Sequence, residues 1–390
     1  MKRWGRLSTG VALALTLVVL AVLGAREPEP GNDVGELAAP LPMAPRTTTG
    51  SAGTATPSAA PLTVPPSATP PSWMRRMLPG EKPPQFVLFS FDGAASKPHW
   101  DRIMPLAQQA NAHVTGLLSG VYMVADEDAA MYTGPGHDQG DSSIGFGGSR
   151  ADVDLRIGYL NAAIDAGHEI GTHYNGHFCV GDEPNVGTWN TDQWNSEIDQ
   201  FFMIVEKARQ RGFKLDPAAV RGGRTPCLEG DWGQAFPAMR AHGLAYDTSH
   251  VSLGVVWPFV RDGMWEFPMP EVRVPALGKQ VVMMDFNLWY ALNGAKDEPE
   301  KAADYTRIVL DTYRSVYQAA FNGNRAPIVI GNHFNEWAGG AFSNAVEGFL
   351  SEVCVRPETA CATYTEVIQW MQLQDPVVLE QLRRMPAARN

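Results

Sequence analysis

A chain of 390 residues with a net charge of −11 and a pI near 5.3 can hold one large domain with appendages, or two modest domains. That acidity argues against nucleic-acid binding and against a polybasic membrane patch. No run of like charge marks an acidic interaction tail.

The chain opens with Lys2, Arg3 and Arg6, followed by an apolar stretch from Val11 to Leu23. A membrane-spanning helix needs about 20 apolar residues, so this shorter stretch reads as a signal segment over residues 1–25, cleaved or retained as an anchor. In both cases the remainder is exported. It is secreted, or held at the outer face of the cytoplasmic membrane by that segment alone. Residues 26–84 are rich in Pro, Ala, Ser and Thr and show no apolar periodicity. Such a composition buries too little surface to offset its ordering entropy, which predicts a disordered, partly polyproline-like tether.

From Gln85 to about residue 375 the pattern is that of a folded domain. "QFVLFSF" (85–91) and "HVTGLL" (113–118) are short apolar runs of strand type. "DVDLRIGYLNAAIDAG" places Leu155, Tyr159, Leu160, Ala163 and Ile164 at helical spacing and stops at Gly167. "EIGT" reads as the next strand, and "QWNSEIDQFFMIVEKARQRG" as a helix striped by Trp194, Ile198, Phe201, Phe202 and Val205. "GQAFPAMRAHG", "KAADYTRIVLDTYRSVYQAAF" and "GAFSNAVEGFLSEVC" supply further helices, with strand-like "QVVMMDF" and "APIVIGNH" between the later ones. Repeated strand–helix alternation predicts an α/β fold with a mainly parallel sheet, doubly wound or closed as a barrel. Residues 376–390 are left as a C-terminal tail.

Reactive residues of such folds lie at the C-terminal ends of strands. Asp92 ends the first strand, His173 and His177 follow "EIGT", Arg221 and Arg224 follow "AAV", Asp285 ends "QVVMM", and His333 ends "APIVIGN". Any one of these has an ordinary reading: a strand-end aspartate as a helix N-cap, a histidine as a satisfied core residue, an arginine as a surface ion pair. Acid, base and imidazole groups at five strand ends make a coherent set. Within "GHEIGTHYNGH" (167–177), His168 and Glu169 are followed by three residues before His173, so the H-E-x-x-H zinc helix is excluded. His173 and His177 are four apart, which sets two imidazoles side by side if a helical turn begins there. "GFGGS" (145–149) lacks the lysine and the strand–helix context of a phosphate loop, and reads as part of a long loop at the barrel end.

At these residues the chain resembles the polysaccharide deacetylases, the NodB-homology carbohydrate esterases, over about residues 85–375. "FSFDG" is similar to the first motif of that family and implies Asp92 as general base. "GHEIGTHYNGH" matches the second and implies His173 and His177 as ligands of a divalent metal, zinc by its chemistry, with His168 structural. "RTPC" resembles the third and implies that Arg224 buttresses the base. "MDFNLW" resembles the fourth, implying Asp285 as the partner of an acid histidine and Trp289 as a pocket wall. "IVIGNH" resembles the last and implies His333 as general acid. The family fold is a distorted (β/α) barrel with about seven repeats. The implied activity is metal-dependent hydrolysis of N-acetyl or O-acetyl groups on a cell-wall or extracellular polysaccharide.

Two positions depart from the family pattern. Gly93 stands where a second aspartate would be the third metal ligand, and Cys227 stands where the third motif has an aromatic residue. Cysteine keeps the backbone N–H that the position offers an oxyanion. Gly93 is more consequential, because catalytic zinc sites usually carry three protein ligands. Asp231 or Asp247 could fill in, Asp92 itself could ligate, or the ion is weakly held. Gly93 therefore motivates an alternative, a weakly active or inactive glycan-binding relic of the barrel. A further alternative is an amidohydrolase of a non-sugar substrate.

Four cysteines in an exported chain allow three pairings. Cys354 and Cys361 flank the short loop "CVRPETAC" and are natural partners. If the second and third motifs converge as the resemblance implies, Cys179 and Cys227 converge with them and would brace the metal loop. The rival use of Cys179 is as a soft-metal ligand beside the histidines.

Overall fold

The structure, a computed structural model, describes residues 71–390. The expected signal segment and residues 26–70 of the expected tether lie outside the described residues.

Strand β1 (Gln85–Gly93) is buried over all but its last residue, as a strand flanked by parallel neighbours must be. Helix α1 (Lys97–Gln109) returns the chain to β2 (Thr115–Leu118). A long segment with two 3₁₀ turns then leads to α2 (Arg150–Asp165), whose start is fixed by a capping box between Ser149 and Asp152. Strand β3 (Glu169–Thr172) follows, and α3 (Thr191–Arg209) opens on a second capping box, Asn190 with Gln193. The next elements are β4 (Gly222–Gly223), α4 (Trp232–Ala241), β5 (Tyr246–Asp247), β6 (Val251–Leu253), β7 (Phe259–Arg261), β8 (Met264–Glu266), β9 (Met269–Val274) and β10 (Lys279–Val282). The chain closes with α5 (Asp285–Asn293), α6 (Ala302–Asn322), β11 (Ile328–His333), α7 (Trp337–Val353), β12 (Thr359–Cys361), α8 (Tyr364–Leu373) and α9 (Pro376–Arg383).

The main sheet runs β11-β1-β2-β3-β4-β5-β8-β7, with β12 paired to the start of β1. All its ladders are parallel except the β7–β8 hairpin. Register sets the strand ends level. Asp92 lies opposite His333, Gly93 opposite Leu118, Leu118 opposite Thr172, and Thr172 opposite Gly223. The residues that follow these ends, His173 and Arg224 among them, are thus delivered to one rim.

The parallel strand–helix alternation expected from the sequence is present. No ladder joins β7 to β11 among the described residues, so the hydrogen-bonded sheet is an open path rather than a ring of seven repeats. β6, β9 and β10 form a separate three-stranded sheet, linked toward β11 by the single bridge Met284–Gly331. One boundary also moves. Trp73 packs edge-on against Phe86 at 5.3 Å between ring centroids, and Arg76 Nε donates to the Leu373 carbonyl. The last residues assigned to the tether therefore belong to the domain. In the C-terminal tail, residues 376–390, α9 is followed by a bridge between Ala388 and Val255 and by Asn390 bonding Arg273. Among the described residues no helix is long and apolar enough to cross a membrane.

Candidate active site

Asp92, next to the last residue of β1, is paired with Arg224. The guanidinium Nη1 donates to Asp92 Oδ1 at 2.7 Å, and both side chains are buried. The remaining donors of Arg224 are also placed. Nε donates to the Thr248 carbonyl at 3.0 Å, while Nη2 lies within bonding distance of Ser90 Oγ and the Tyr364 hydroxyl. A buried cation this fully bonded is held in one orientation. Burial pushes the Asp92 carboxyl up, but Arg224, His173 and His333 outweigh it and hold it below the ordinary carboxylate range. Of the two arginines after "AAV", Arg224 alone pairs with Asp92.

His173 and His177 do come together, though no helical turn brings them there. Residues 173–177 form a loop in which Tyr174 and His177 both take left-handed backbone angles, φ 57° and 59°. The two imidazole centroids are 5.1 Å apart. His173 Nδ1 meets the carbonyl of Arg224 at 2.8 Å, so this nitrogen carries the proton and Nε2 keeps its lone pair. Withdrawal from water lowers the His173 pKa, and it brings that of His177 down to about 3 with help from His173 and His333. Both shifts favour the neutral ring that a metal ligand must be. Cys179 is bonded to Cys227, and Cys354 to Cys361, the pairings the sequence favours. Among the described residues, one group of three ligand-type side chains has its atoms within 4.8 Å of one another: His177, Cys179 and Cys227. Its two sulfurs are spent on their own bond.

His333 ends β11, and its Nδ1–H donates to Asp285 Oδ1 at 2.7 Å, while its backbone N–H donates to Oδ2 at 2.6 Å. Asp285 is the first residue of α5 rather than the last of a strand, and it also accepts from Asn335 Nδ2 and from the Phe286 N–H. Withdrawal from water lowers the His333 pKa, but Asp285 and Asp92 more than compensate, so it stands above the ordinary histidine value. Trp289 stacks on Trp337 at 4.7 Å between centroids, and Trp337 lies 5.5 Å from His333.

Asp231, Asp247 and Asp92, the candidates for the role of the aspartate missing at Gly93, each accept hydrogen bonds elsewhere. Asp231 accepts from the Gly233 N–H as the N-cap of α4. Asp247 accepts from both the N–H and the hydroxyl of Ser249, and Asp92 is engaged by Arg224. Gly93 has φ +80°, and a Cβ there would stand 3.3 Å from Tyr122 Cε2. Two neutral imidazoles fit a divalent ion by their chemistry, with one fewer protein ligand than catalytic zinc sites usually have.

Sequence reasoning missed several residues. Ser90, Thr248, Tyr364 and Asn335 had no pattern to mark them. Glu197 had one: it sits in the apolar stripe of α3 between Trp194 and Phe201, where a charge is out of place. Its carboxylate accepts from the Asn175 N–H at 2.9 Å and from the Tyr132 hydroxyl at 2.8 Å. Burial pushes it up to about 7. His168, expected to be structural, accepts from the Val114 N–H at 3.2 Å.

No family profile and no curated protein matches this chain. Solved structures do. A Mycobacterium smegmatis protein provisionally assigned as a polysaccharide deacetylase is 16% identical at a TM-score of 0.48, over 80% of this chain and 97% of that one. A family 4 carbohydrate esterase pseudoenzyme from Bacillus anthracis is 13% identical at 0.41, over 77% and 69%. The peptidoglycan deacetylase PdaC from Bacillus subtilis is 12% identical at 0.40, over 79% and 98%. The structures matched are thus polysaccharide deacetylases and carbohydrate esterases, pseudoenzymes included.

Proposed function

We propose that this chain is an exported, metal-dependent deacetylase that hydrolyses N-acetyl or O-acetyl groups of an extracellular polysaccharide. One observation carries the reading. Asp92 and His333 face each other across the β1–β11 ladder, and their surroundings push their protonation in opposite directions. A carboxylate biased toward its ionised form beside an imidazole biased toward its protonated form is the pairing that hydrolysis of an amide or ester needs.

In this scheme His173 and His177 hold the ion, zinc by its preference for imidazole, and no other residue is assigned to it. When bound, such an ion lowers the pKa of water and polarises a carbonyl. Asp92, fixed by Arg224, accepts the proton of the attacking water. The Cys227 backbone N–H is assigned to the oxyanion, with the disulfide to Cys179 holding it against the histidine loop. His333, oriented by Asp285, donates a proton to the leaving amine or alcohol from Nε2. Trp289 forms a wall of the acetyl pocket. The open sheet takes the place of a distorted barrel with about seven repeats, and the N-terminal segment and tether carry the domain outside the cell.

The deciding experiment is acetate release from chitin oligomers, peptidoglycan and xylan. Gly93 favours a second reading, a glycan-binding relic of the same site, because it carries no carboxylate and Asp231 and Asp247 accept hydrogen bonds within their own segments. Glycan retention without acetate release from any of the three would favour it.

A further inference from the structure

We propose that Glu197 and Tyr132 are positioning residues that clamp the loop between His173 and His177, supplying the rigidity that a third protein ligand would otherwise give. This inference rests on the metal-site reading above. The loop is costly by itself: two non-glycine residues, Tyr174 and His177, take left-handed backbone angles that side chains disfavour. Such conformations persist only where their surroundings over-determine them. Glu197 supplies that. Its Oε1 accepts the Asn175 N–H at 2.9 Å, its backbone carbonyl accepts Asn175 Nδ2 at 2.8 Å, and its Oε2 accepts the Tyr132 hydroxyl at 2.8 Å. The Tyr132 oxygen in turn accepts the Gly176 N–H at 3.0 Å. Both loop residues nearest the centre are therefore tied, one directly and one through tyrosine, to a single carboxylate.

Two features set this apart from routine packing. Among the described residues no arginine or lysine pairs with the Glu197 carboxylate, and the residue is fully buried, so its burial is offset there by the bonds it makes to the loop and to Tyr132. Nor is there room for the loop to shift toward Tyr132, since a Cβ at Gly176 would lie 2.6 Å from the Tyr132 hydroxyl and 2.4 Å from Phe178. The loop is also pinned on its other carbonyls, with the Gly120 N–H on Tyr174 and the Ser143 N–H on Gly176. The long segment 119–149 thus serves as an outer brace that reaches the ligand loop through Tyr132.

The test uses the full folded chain, stripped of metal by chelator, with zinc as the probe. Tyr132→Phe removes one oxygen, and Glu197→Gln keeps the shape while losing the charge. Tyr317→Phe, which loses a hydroxyl contact to Thr359 far from the loop, is the stability control. Calorimetric titration is expected to show zinc binding at least about tenfold weaker in Tyr132→Phe and Glu197→Gln, and unchanged in Tyr317→Phe. The visible spectrum of the cobalt-loaded protein is expected to shift in the same two variants. In the metal-free protein, amide exchange across residues 174–178 is expected to speed up in both. Zinc affinity equal to wild type in a folded Tyr132→Phe overturns the clamp while leaving the metal site standing. A wild type that binds no divalent ion overturns both.

Discussion

Arg224 and Asp92 form a buried ion pair at 2.7 Å, joining the third-motif arginine to the end of β1. Removing one partner of such a pair leaves an uncompensated charge in the core, at roughly 3–5 kcal/mol. Arg224→Met, which strands the Asp92 carboxylate, and Asp92→Asn, which strands the Arg224 guanidinium, are both therefore expected to lower stability by that order in urea melts. Asp92 is held below its unfolded value, so its contribution is present above about pH 4 and is lost as pH falls through the depressed native pKa. Wild type should lose stability on that acid side, and Asp92→Asn should show a shallower acid limb. Equal acid limbs would remove the pair from the stability account.

The basic side belongs to His333. Its pKa is raised chiefly by Asp285 against the effect of withdrawal from water. The protonated form therefore stabilises the fold fully below about pH 6.5, and that contribution disappears as pH rises through the higher native value. Asp285→Asn should move the basic limb of kcat toward lower pH and reduce turnover. A basic limb that stays in place would assign the acid to another group.

The disulfides differ in the loops they close, with sequence separations of 48 and 7. Chain-entropy reasoning gives about 4 kcal/mol for the longer and about 2.5 kcal/mol for the shorter. The Cys179→Ser/Cys227→Ser variant should lose more stability than Cys354→Ser/Cys361→Ser, and zinc affinity should fall only in the first. Peptide mapping that links Cys179 to Cys354 would break the convergence of the two motifs.

The N-terminal boundary predicts a step. Deleting residues 26–70 is expected to leave Tm unchanged, whereas extending the deletion to residue 84 removes the Trp73–Phe86 contact and should lower Tm by a few degrees. A Tm drop already present in the shorter deletion would show that the tether packs on the domain.

Restoring the family aspartate meets an obstacle. Gly93→Asp must adopt φ +80° with its Cβ 3.3 Å from Tyr122, which should lower the stability of the metal-free protein by about 1–2 kcal/mol. A carboxylate that reaches the ion would recover this on zinc addition, so the zinc-dependent rise in Tm should exceed that of wild type. A rise no larger than wild type's would mean that the side chain does not reach.

The parts of the site legible in the sequence are those that follow buried strand runs. Asp92 after "QFVLFSF" and His333 after "APIVIGN" are polar residues at the ends of apolar segments, and their register in the sheet places them opposite one another. The paired histidines were legible as neighbours, but not their conformation, because the loop between them, with Tyr174 and His177 left-handed, is bonded by Gly120, Tyr132 and Glu197, which are distant in sequence. The bonds to Arg224 from Ser90 and Tyr364 span 134 and 140 residues and leave no periodic trace. The strands β4 to β8 are two or three residues long, too short for alternation to show. Glu197 was legible in principle, as a charge within an apolar stripe.

The central claim is metal-dependent deacetylation with Asp92 as base, and acetate release separates it from every rival. Metal-free, zinc-restored and Asp92→Asn proteins would be compared on chitin oligomers, peptidoglycan and xylan, with bound zinc measured in each. The account predicts release from at least one substrate, abolished by chelator, restored by zinc, and absent in an Asp92→Asn protein that still holds its zinc. Release that is indifferent to chelator, or that persists in Asp92→Asn, would contradict it.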